Sequence, residues 1–263
     1  MAICYKPNMA KIRLITLVVI CGLAACTGGD DPPPTTSSTI ATTVPLVTTP
    51  PPNLTESYFE SLATAAVGGL GEASAALPGS AAAIYAEHQA ASRGLLGLVA
   101  PRTLVVVGQG FEVCDPSDVC STYAAVVTDP ATGQVSSFSI DGVGLTGRIV
   151  GGGLIADRDG VVARVKSAYQ TVDGDLTVLL EIDNTSDVTV ELFGFAAVLE
   201  PGVGSDSVET TGAWGTGTIE QGVTADLLLR FPHADVGGQL RLSGLRSDGI
   251  DMALDVRVPT VSG

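Results

Sequence analysis

Cys114 and Cys120 enclose the residues DPSDV and form the cysteine pair best placed to do chemistry in this chain. Their gap is wider than the redox C-x-x-C and wider than the C-x2–4-C of a zinc site. In an oxidising compartment two cysteines this close read as a disulfide, with a free thiol pair as the alternative. Closing so small a loop is worth about 2 kcal/mol if the gain is unfolded-chain entropy. His88 and His233 are the only histidines and lie far apart in sequence. A catalytic metal needs several convergent ligands, which two separated histidines do not supply. His88 falls on an apolar helical stripe, where a packed, hydrogen-bonded imidazole is expected. His233 follows Phe231-Pro232 at a strand end. Neither G-x-S-x-G nor H-E-x-x-H occurs.

The remaining motifs read as turns. Gly142-Val143-Gly144-Leu145-Thr146-Gly147 spells G-x-G-x-x-G, but RIVGGGLIADRDG follows it. That is strand and turn, not the helix a dinucleotide fingerprint needs to aim at phosphates. Asp157-x-Asp159-Gly160 and Asp173-Gly174-Asp175 could offer oxygens to Ca²⁺, but neither brings the remaining ligands of a loop site. Asp and Gly fill β-turns for backbone reasons alone. No metal and no cofactor is therefore expected. Trp214 is the only tryptophan, set in TTGAWGTGT. Its ring is expected to cap or lid the sandwich core; as the alternative it is the candidate ligand contact, able to stack on a sugar or a partner surface.

The elements that must position these residues fall into two patterns. Asn53 with Glu56 makes a capping-box-like start after Pro52. Leu54, Tyr58, Leu62, Ala66, Leu70, Ala73 and Leu77 recur at helical steps, and Pro78-Gly79-Ser80 breaks the pattern. Ile84, His88, Ala91, Leu95 and Leu98 form a second stripe, ended by Pro101. Two antiparallel helices, or one with a frayed partner, are expected, packed on something else because the Ala-rich pair is narrow. From Thr103 onward short β-branched segments alternate with Gly-, Asp- and Pro-rich turns, DPATGQ after Thr128 being a hairpin signal. From Val161 the segments lengthen, with no helix between them, which predicts an antiparallel sandwich. The fold class is thus mainly β with an N-terminal helical segment. The order of a strand, DGD, a strand ending in DNTSD, a strand, a Gly-rich loop and a strand ending in F-P resembles Ig-like domains of unknown function in secreted bacterial lipoproteins.

The N-terminus gives the address. Lys6, Lys11 and Arg13 precede an apolar run from Leu14 to Ala25, about a dozen residues. That is a signal peptide rather than a membrane span, which takes ~20. The run ends in Leu23-Ala24-Ala25-Cys26, which resembles the lipobox of bacterial lipoproteins. The resemblance implies a diacylglyceryl group on the Cys26 thiol, which becomes the first mature residue. A spacer would then follow, and Asp30 to Pro52 is Pro, Thr and Ser with few large apolar groups. Such a chain buries too little to offset its ordering entropy. As polyproline II it reaches up to roughly 70 Å. The expected organisation is a signal peptide over 1–25, a disordered linker over 26–53, and a helical segment over 54–101. A small β-rich region with the disulfide follows over 102–160, then an Ig-like sandwich over 161–259.

The chain carries 13 basic and 28 acidic side chains, and losing Lys6, Lys11 and Arg13 would leave 10 − 28 = −18. Nucleic acid is excluded as a partner on charge, being itself a polyanion. The expected function is a non-enzymatic binding or interaction module on the extracytoplasmic face of the bacterial cell membrane. It would be anchored by lipid at Cys26, with an envelope protein or glycan as partner. Alternatives are an accessory structural subunit of an envelope complex and, third, a hydrolase of envelope polymers. Metabolic labelling with a clickable fatty acid is expected to tag the wild-type chain and not Cys26→Ala. Equal labelling of both would refute the lipid site.

Overall fold

Asn53 caps the first helix, its Oδ1 accepting from the backbone N–H of Thr55 at 3.2 Å. The computed structural model describes residues 53–64, 75–98, 100–202 and 205–260. Cys26, the linker and the later part of the first helical stripe (Ala66, Leu70, Ala73) lie outside the described residues. Helix α1 spans Leu54–Thr64 and helix α2 spans Ala81–Leu95. Ser80 caps α2 by accepting from the Ala83 N–H at 3.3 Å. No helix among the described residues is long and apolar enough to cross a membrane.

The protein is mainly β, and every strand pair is antiparallel. The first sheet is a meander of β1 (Thr103–Val107), β2 (Gly110–Cys114), β3 (Cys120–Thr128), β4 (Val135–Ile140) and β5 (Val143–Gly144), paired in that order. DPATGQ makes the predicted turn between β3 and β4. Asp129 Oδ1 accepts there from the N–H groups of Ala131 and Thr132 at 3.0 and 2.8 Å. The other strands are β6 (Ile149–Gly151), β7 (Ile155–Arg158), β8 (Val161–Gln170), β9 (Leu176–Asn184), β10 (Val190–Leu192) and β11 (Val198–Glu200). They continue with β12 (Val208–Glu209), β13 (Gly212–Gly215), β14 (Thr218–Ile219), β15 (Thr224–Phe231), β16 (Gly238–Arg246) and β17 (Asp251–Val258).

These twelve strands make the two layers of a sandwich. One sheet has the order β13-β15-β9-β8-β6, with β7 also on β8; the other has the order β12-β11-β16-β10-β14, with β17 also on β16. Leu180, Ile182 and Leu229 from the first layer and Leu199, Leu242 and Val256 from the second close one core, all essentially without solvent exposure. The sandwich begins earlier than Val161, because β6 and β7 hydrogen-bond to β8. The Gly-rich stretch from Pro201 to Thr218 holds β12 and β13 and begins β14. Short Gly-rich strands of two to four residues carry too little alternation to show in sequence.

A second core lies between the helices and the meander. The chain is only 5% aromatic, yet its rings are concentrated here. Phe59 of α1 stacks on Phe111 with centroids 4.5 Å apart and touches Tyr123 and Phe138 at 5.3 and 5.4 Å. Tyr85 of α2 meets Phe138 at 5.4 Å and Tyr169 of β8 at 5.2 Å, carrying the cluster from the meander to the sandwich. The Tyr58 hydroxyl donates to the Ala82 carbonyl at 2.8 Å, tying α1 to α2. The expected stripe is fully buried only at His88, with Ile84, Ala91 and Leu95 half-buried. Ala82, Ala83, Tyr85, Ala86, His88, Ser92 and Arg93 are buried, while Leu98 is 55% exposed. Helix α2 is wedged between two β surfaces, and small residues let it approach both. At β6, Gly151 leaves room for Ile84, where a Cβ would come within 3.0 Å.

Phe59 has no solvent exposure and touches three other rings besides its neighbour Tyr58. Phe59→Ala is expected to cost about 3–5 kcal/mol of unfolding free energy in a denaturant titration, by loss of transfer energy and creation of a cavity. A loss under about 1 kcal/mol would show that α1 contributes little to this core.

Candidate functional site

The site follows from a single irregularity in β8. Val161, Ala163 and Val165 point into the sandwich core, as period-two alternation requires. A bulge lies between Val165 and Ser167, and beyond it Ala168 is the core residue. Inserting one residue switches which parity faces inward. Ser167 and Tyr169 are thereby turned onto the outer face, beneath α2.

His88 meets them there, with 1% of its surface exposed. Its Nδ1 lies 2.8 Å from Ser167 Oγ, and its Nε2 lies 2.9 Å from Thr177 Oγ1 on β9. The Thr177 hydroxyl donates its proton to the Tyr169 carbonyl at 3.0 Å. Nε2 therefore carries the imidazole hydrogen and donates it to Thr177, while Nδ1 accepts from Ser167. Burial pushes the His88 pKa down to about 4. The expected packed, hydrogen-bonded imidazole is what stands here.

Beside this contact a cleft of about 470 Å³ opens between α2, the β2–β3 hairpin and the outer face of the β13-β15-β9-β8 sheet. That is within the usual range of small-molecule sites. Its lining includes His88, Tyr169 and Thr177, with Trp214 and Leu228 from the outer strands and Arg93 and Arg102 from the helical side. Trp214 stands on β13 opposite Leu228 of β15, half-buried. It neither fills the sandwich core nor rides on a loop. Its indole lies over Gly212, two residues back on the same strand face, where a Cβ would come within 2.2 Å of the ring.

The charges in the cleft are arranged unequally. Arg230 is paired to the Asp175 carboxylate, donating from Nε at 2.8 Å. Hydrogen bonding to Arg230, with a further bond from the His233 N–H, holds the Asp175 carboxyl below the usual range. Arg93 and Arg102 have no carboxylate partner among the described residues. Both are fixed instead by main-chain carbonyls. Arg93 donates to Leu98 at 3.2 Å and Ala100 at 2.6 Å, and Arg102 donates to Leu62. Desolvation, then the neighbouring charge of Arg102, pushes the Arg93 guanidinium below its ordinary pKa. Ser92 Oγ, Arg93 Nη1 and Arg102 Nε are buried with no hydrogen-bond partner.

The residues singled out in sequence separate accordingly. Cys114 and Cys120 are joined by a disulfide and sit opposite each other in the β2–β3 ladder. Among the described residues they form, with Glu112, the only grouping close enough to resemble a metal site. Their sulfurs are spent on each other. The loop they close holds Asp115 and Pro116 at the cleft mouth. Gly142 and Gly147 are turn residues with φ of 82° and 88°, and β6 rather than a helix follows. Asp159-Gly160 is the tight turn between β7 and β8. Asp175 carries more than turn geometry, because it anchors Arg230 across the sheet. Arg93 and Arg102 were not visible as site residues: they sit in unremarkable contexts, and only the docking of α2 brings them together. No protein-family model matches the chain, and no curated protein matches it either.

The buried His88 makes stability depend on pH. An unfolded imidazole takes up a proton near pH 6.5, whereas the folded one does so only near 4. Between those values the unfolded state binds more protons, so stability rises with pH. It is fully present above the unfolded pKa and lost as pH falls toward the folded one. The expected loss from pH 7 to about pH 5 is about 2 kcal/mol. Asp175, whose carboxyl is held low, keeps its contribution across this window and loses it only as pH falls further, through the carboxylate range. Urea titrations should show this loss in the wild type and its absence in His88→Gln. Equal pH slopes in both chains would rule out a buried neutral His88.

Proposed function

We propose that the chain is a lipid-anchored, non-enzymatic binding module working on the extracytoplasmic face of the bacterial membrane, with the cleft under α2 as its binding site. The lipobox-like LAAC and the Pro/Thr-rich linker support the anchoring. The observation that carries the binding role is the cleft itself. It is a concavity floored by rigid strands, with the chain's only tryptophan at its side and fixed guanidinium groups opposite. Sites with an apolar lining and a few placed polar groups are where small ligands and peptide segments bind. A partner presenting a short segment or a glycan end would find there an aromatic face and hydrogen-bond donors.

An accessory role in an envelope complex is supported by a different surface. Strand β1 is an edge strand with Val105, Val106 and Val107 exposed by 44%, 61% and 44%. An open apolar edge invites strand addition. A hydrolase has weaker support. His88 donates from Nε2 to a hydroxyl whose own proton is already committed to a carbonyl. In that tautomer it cannot draw the Thr177 proton as a general base.

The two binding surfaces can be told apart by placing a photocrosslinking amino acid at Trp214 or at Val106 in chains expressed in their native envelope. The cleft reading expects a discrete adduct from position 214 and none from 106. An adduct from 106 alone would transfer the function to the β1 edge and refute the cleft.

A further inference from the structure

Residues lining the cleft carry three buried polar atoms that the fold leaves unanswered. Buried donors are almost always paired, and leaving one unpaired costs about 1–3 kcal/mol, more when it is charged. Of the four such side-chain atoms among the described residues, Ser92 Oγ, Arg93 Nη1 and Arg102 Nε belong to residues of this one cavity. Arg93 and Ser92 are more than nine-tenths buried, at 7% and 8% exposure. All three atoms donate hydrogen bonds, and two carry positive charge. Arg93 Nε and Nη2 are occupied by the carbonyls of Leu98 and Ala100, and Arg102 Nη2 by that of Leu62. The unpaired donors are therefore held in place before any ligand arrives, which lowers the ordering cost of binding.

We propose that the cleft binds a small organic carboxylate, its anionic head on Arg93, Arg102 and Ser92 and its apolar body against Trp214 and Leu228. This deepens the cleft reading above and rests on it. Neither guanidinium has a carboxylate ion-pair partner among the described residues, in a chain with 28 acidic and 13 basic side chains. Asp115, the acid at the cleft mouth nearest this pair, has its Oδ1 filled by the Ser117 N–H, the Ser117 hydroxyl and the Val119 N–H, at 2.8, 2.7 and 3.0 Å. It makes no direct ion pair with Arg102 among the described residues, although after those hydrogen bonds the Arg102 charge also helps hold its carboxyl below the usual range. Asp115 and Asp173 line the cleft as well. Together with the acidic surface they disfavour a polyanion, while a compact monoanion can pass. Leu96, Leu98, Pro116 and Leu228 make much of the wall apolar, so a free inorganic ion would leave most of it uncovered.

Trp214 is the only indole in the chain, so its fluorescence reports the cleft directly. The probes are 4-phenylbutyrate, its neutral analogue 4-phenylbutanol, and inorganic phosphate, titrated into the intact chain with Tm measured in parallel. 4-Phenylbutyrate is expected to give a saturable change in Trp214 emission and a rise in Tm. 4-Phenylbutanol and phosphate should each bind about tenfold or more weakly, the worth of a charge-assisted hydrogen bond. Arg102→Gln should weaken 4-phenylbutyrate by about tenfold and leave 4-phenylbutanol unchanged. If that variant does not fold, Ser92→Ala provides the same comparison with a smaller expected loss. Equal binding of acid and alcohol would overturn the carboxylate assignment while keeping a ligand-binding cleft. Phosphate binding better than 4-phenylbutyrate would overturn it in favour of an inorganic anion. No response to any probe at tens of millimolar would overturn both the assignment and the cleft reading.

Discussion

The contact of His88 with Ser167 and Thr177 is the constraint on which the rest of this molecule depends. It is a buried polar junction between a helix and the outside of a sandwich. An imidazole there has to be neutral and satisfied at both nitrogens. The two hydroxyls satisfy it, and the Tyr169 carbonyl fixes which nitrogen bears hydrogen. The junction exists only because the bulge in β8 turns Ser167 and Tyr169 outward. With regular pleating the hydroxyl and the phenol ring would face the sandwich core, and α2 would have no polar partner on that sheet.

Once α2 is held there, its two sides become different environments. Toward the meander it presents Tyr85 to Phe138, within an aromatic cluster that extends to Phe59 and Phe111. That side is dry and close-packed. Toward the end of the helix, contact with the sheet is incomplete, and the cleft is the space left over. Arg93 lies on this last turn and folds back on the carbonyls that follow the helix. Basic groups are favoured at a helix C-terminus, where carbonyl groups lack partners. One nitrogen remains without a partner, on a residue that lines the cavity. The binding surface is thus a by-product of how the helix ends on a flat sheet.

The disulfide and Gly212 shape the same cavity from its other sides. Cys114–Cys120 staples the tip of the β2–β3 hairpin, so that Asp115 and Pro116 are held at the mouth rather than free to move. Gly212 gives the Trp214 indole a place to lie, since any side chain there would collide with the ring. Trp214 in turn lies opposite Leu228 on the neighbouring strand. Rigid walls of this kind suit a module that binds without remodelling itself.

Much of the architecture was legible from residue order alone, because it depends on local physics. The mainly β character, the Asn53 helix start, the break at Pro78-Gly79-Ser80, the DPATGQ hairpin and the turn role of Asp159-Gly160 follow from periodicity and turn chemistry. So does the cysteine pairing, which needs only short separation and a suitable ladder. His88 as a packed residue was also readable from the stripe on which it falls. What sequence could not show is which face of α2 is most deeply buried, because the helix has two β surfaces to satisfy, and Ala82, Tyr85 and Arg93 are covered more fully than Ile84 and Leu95. It could not show that β6 and β7 belong to the sandwich, since strand membership is decided by long-range pairing. Nor could it show that Trp214 flanks a cavity with Arg93 and Arg102, which lie more than a hundred residues away in the chain. Periodicity reports what a segment needs to bury. Only the docked structure decides what buries it, and so which charges are left facing each other across open space.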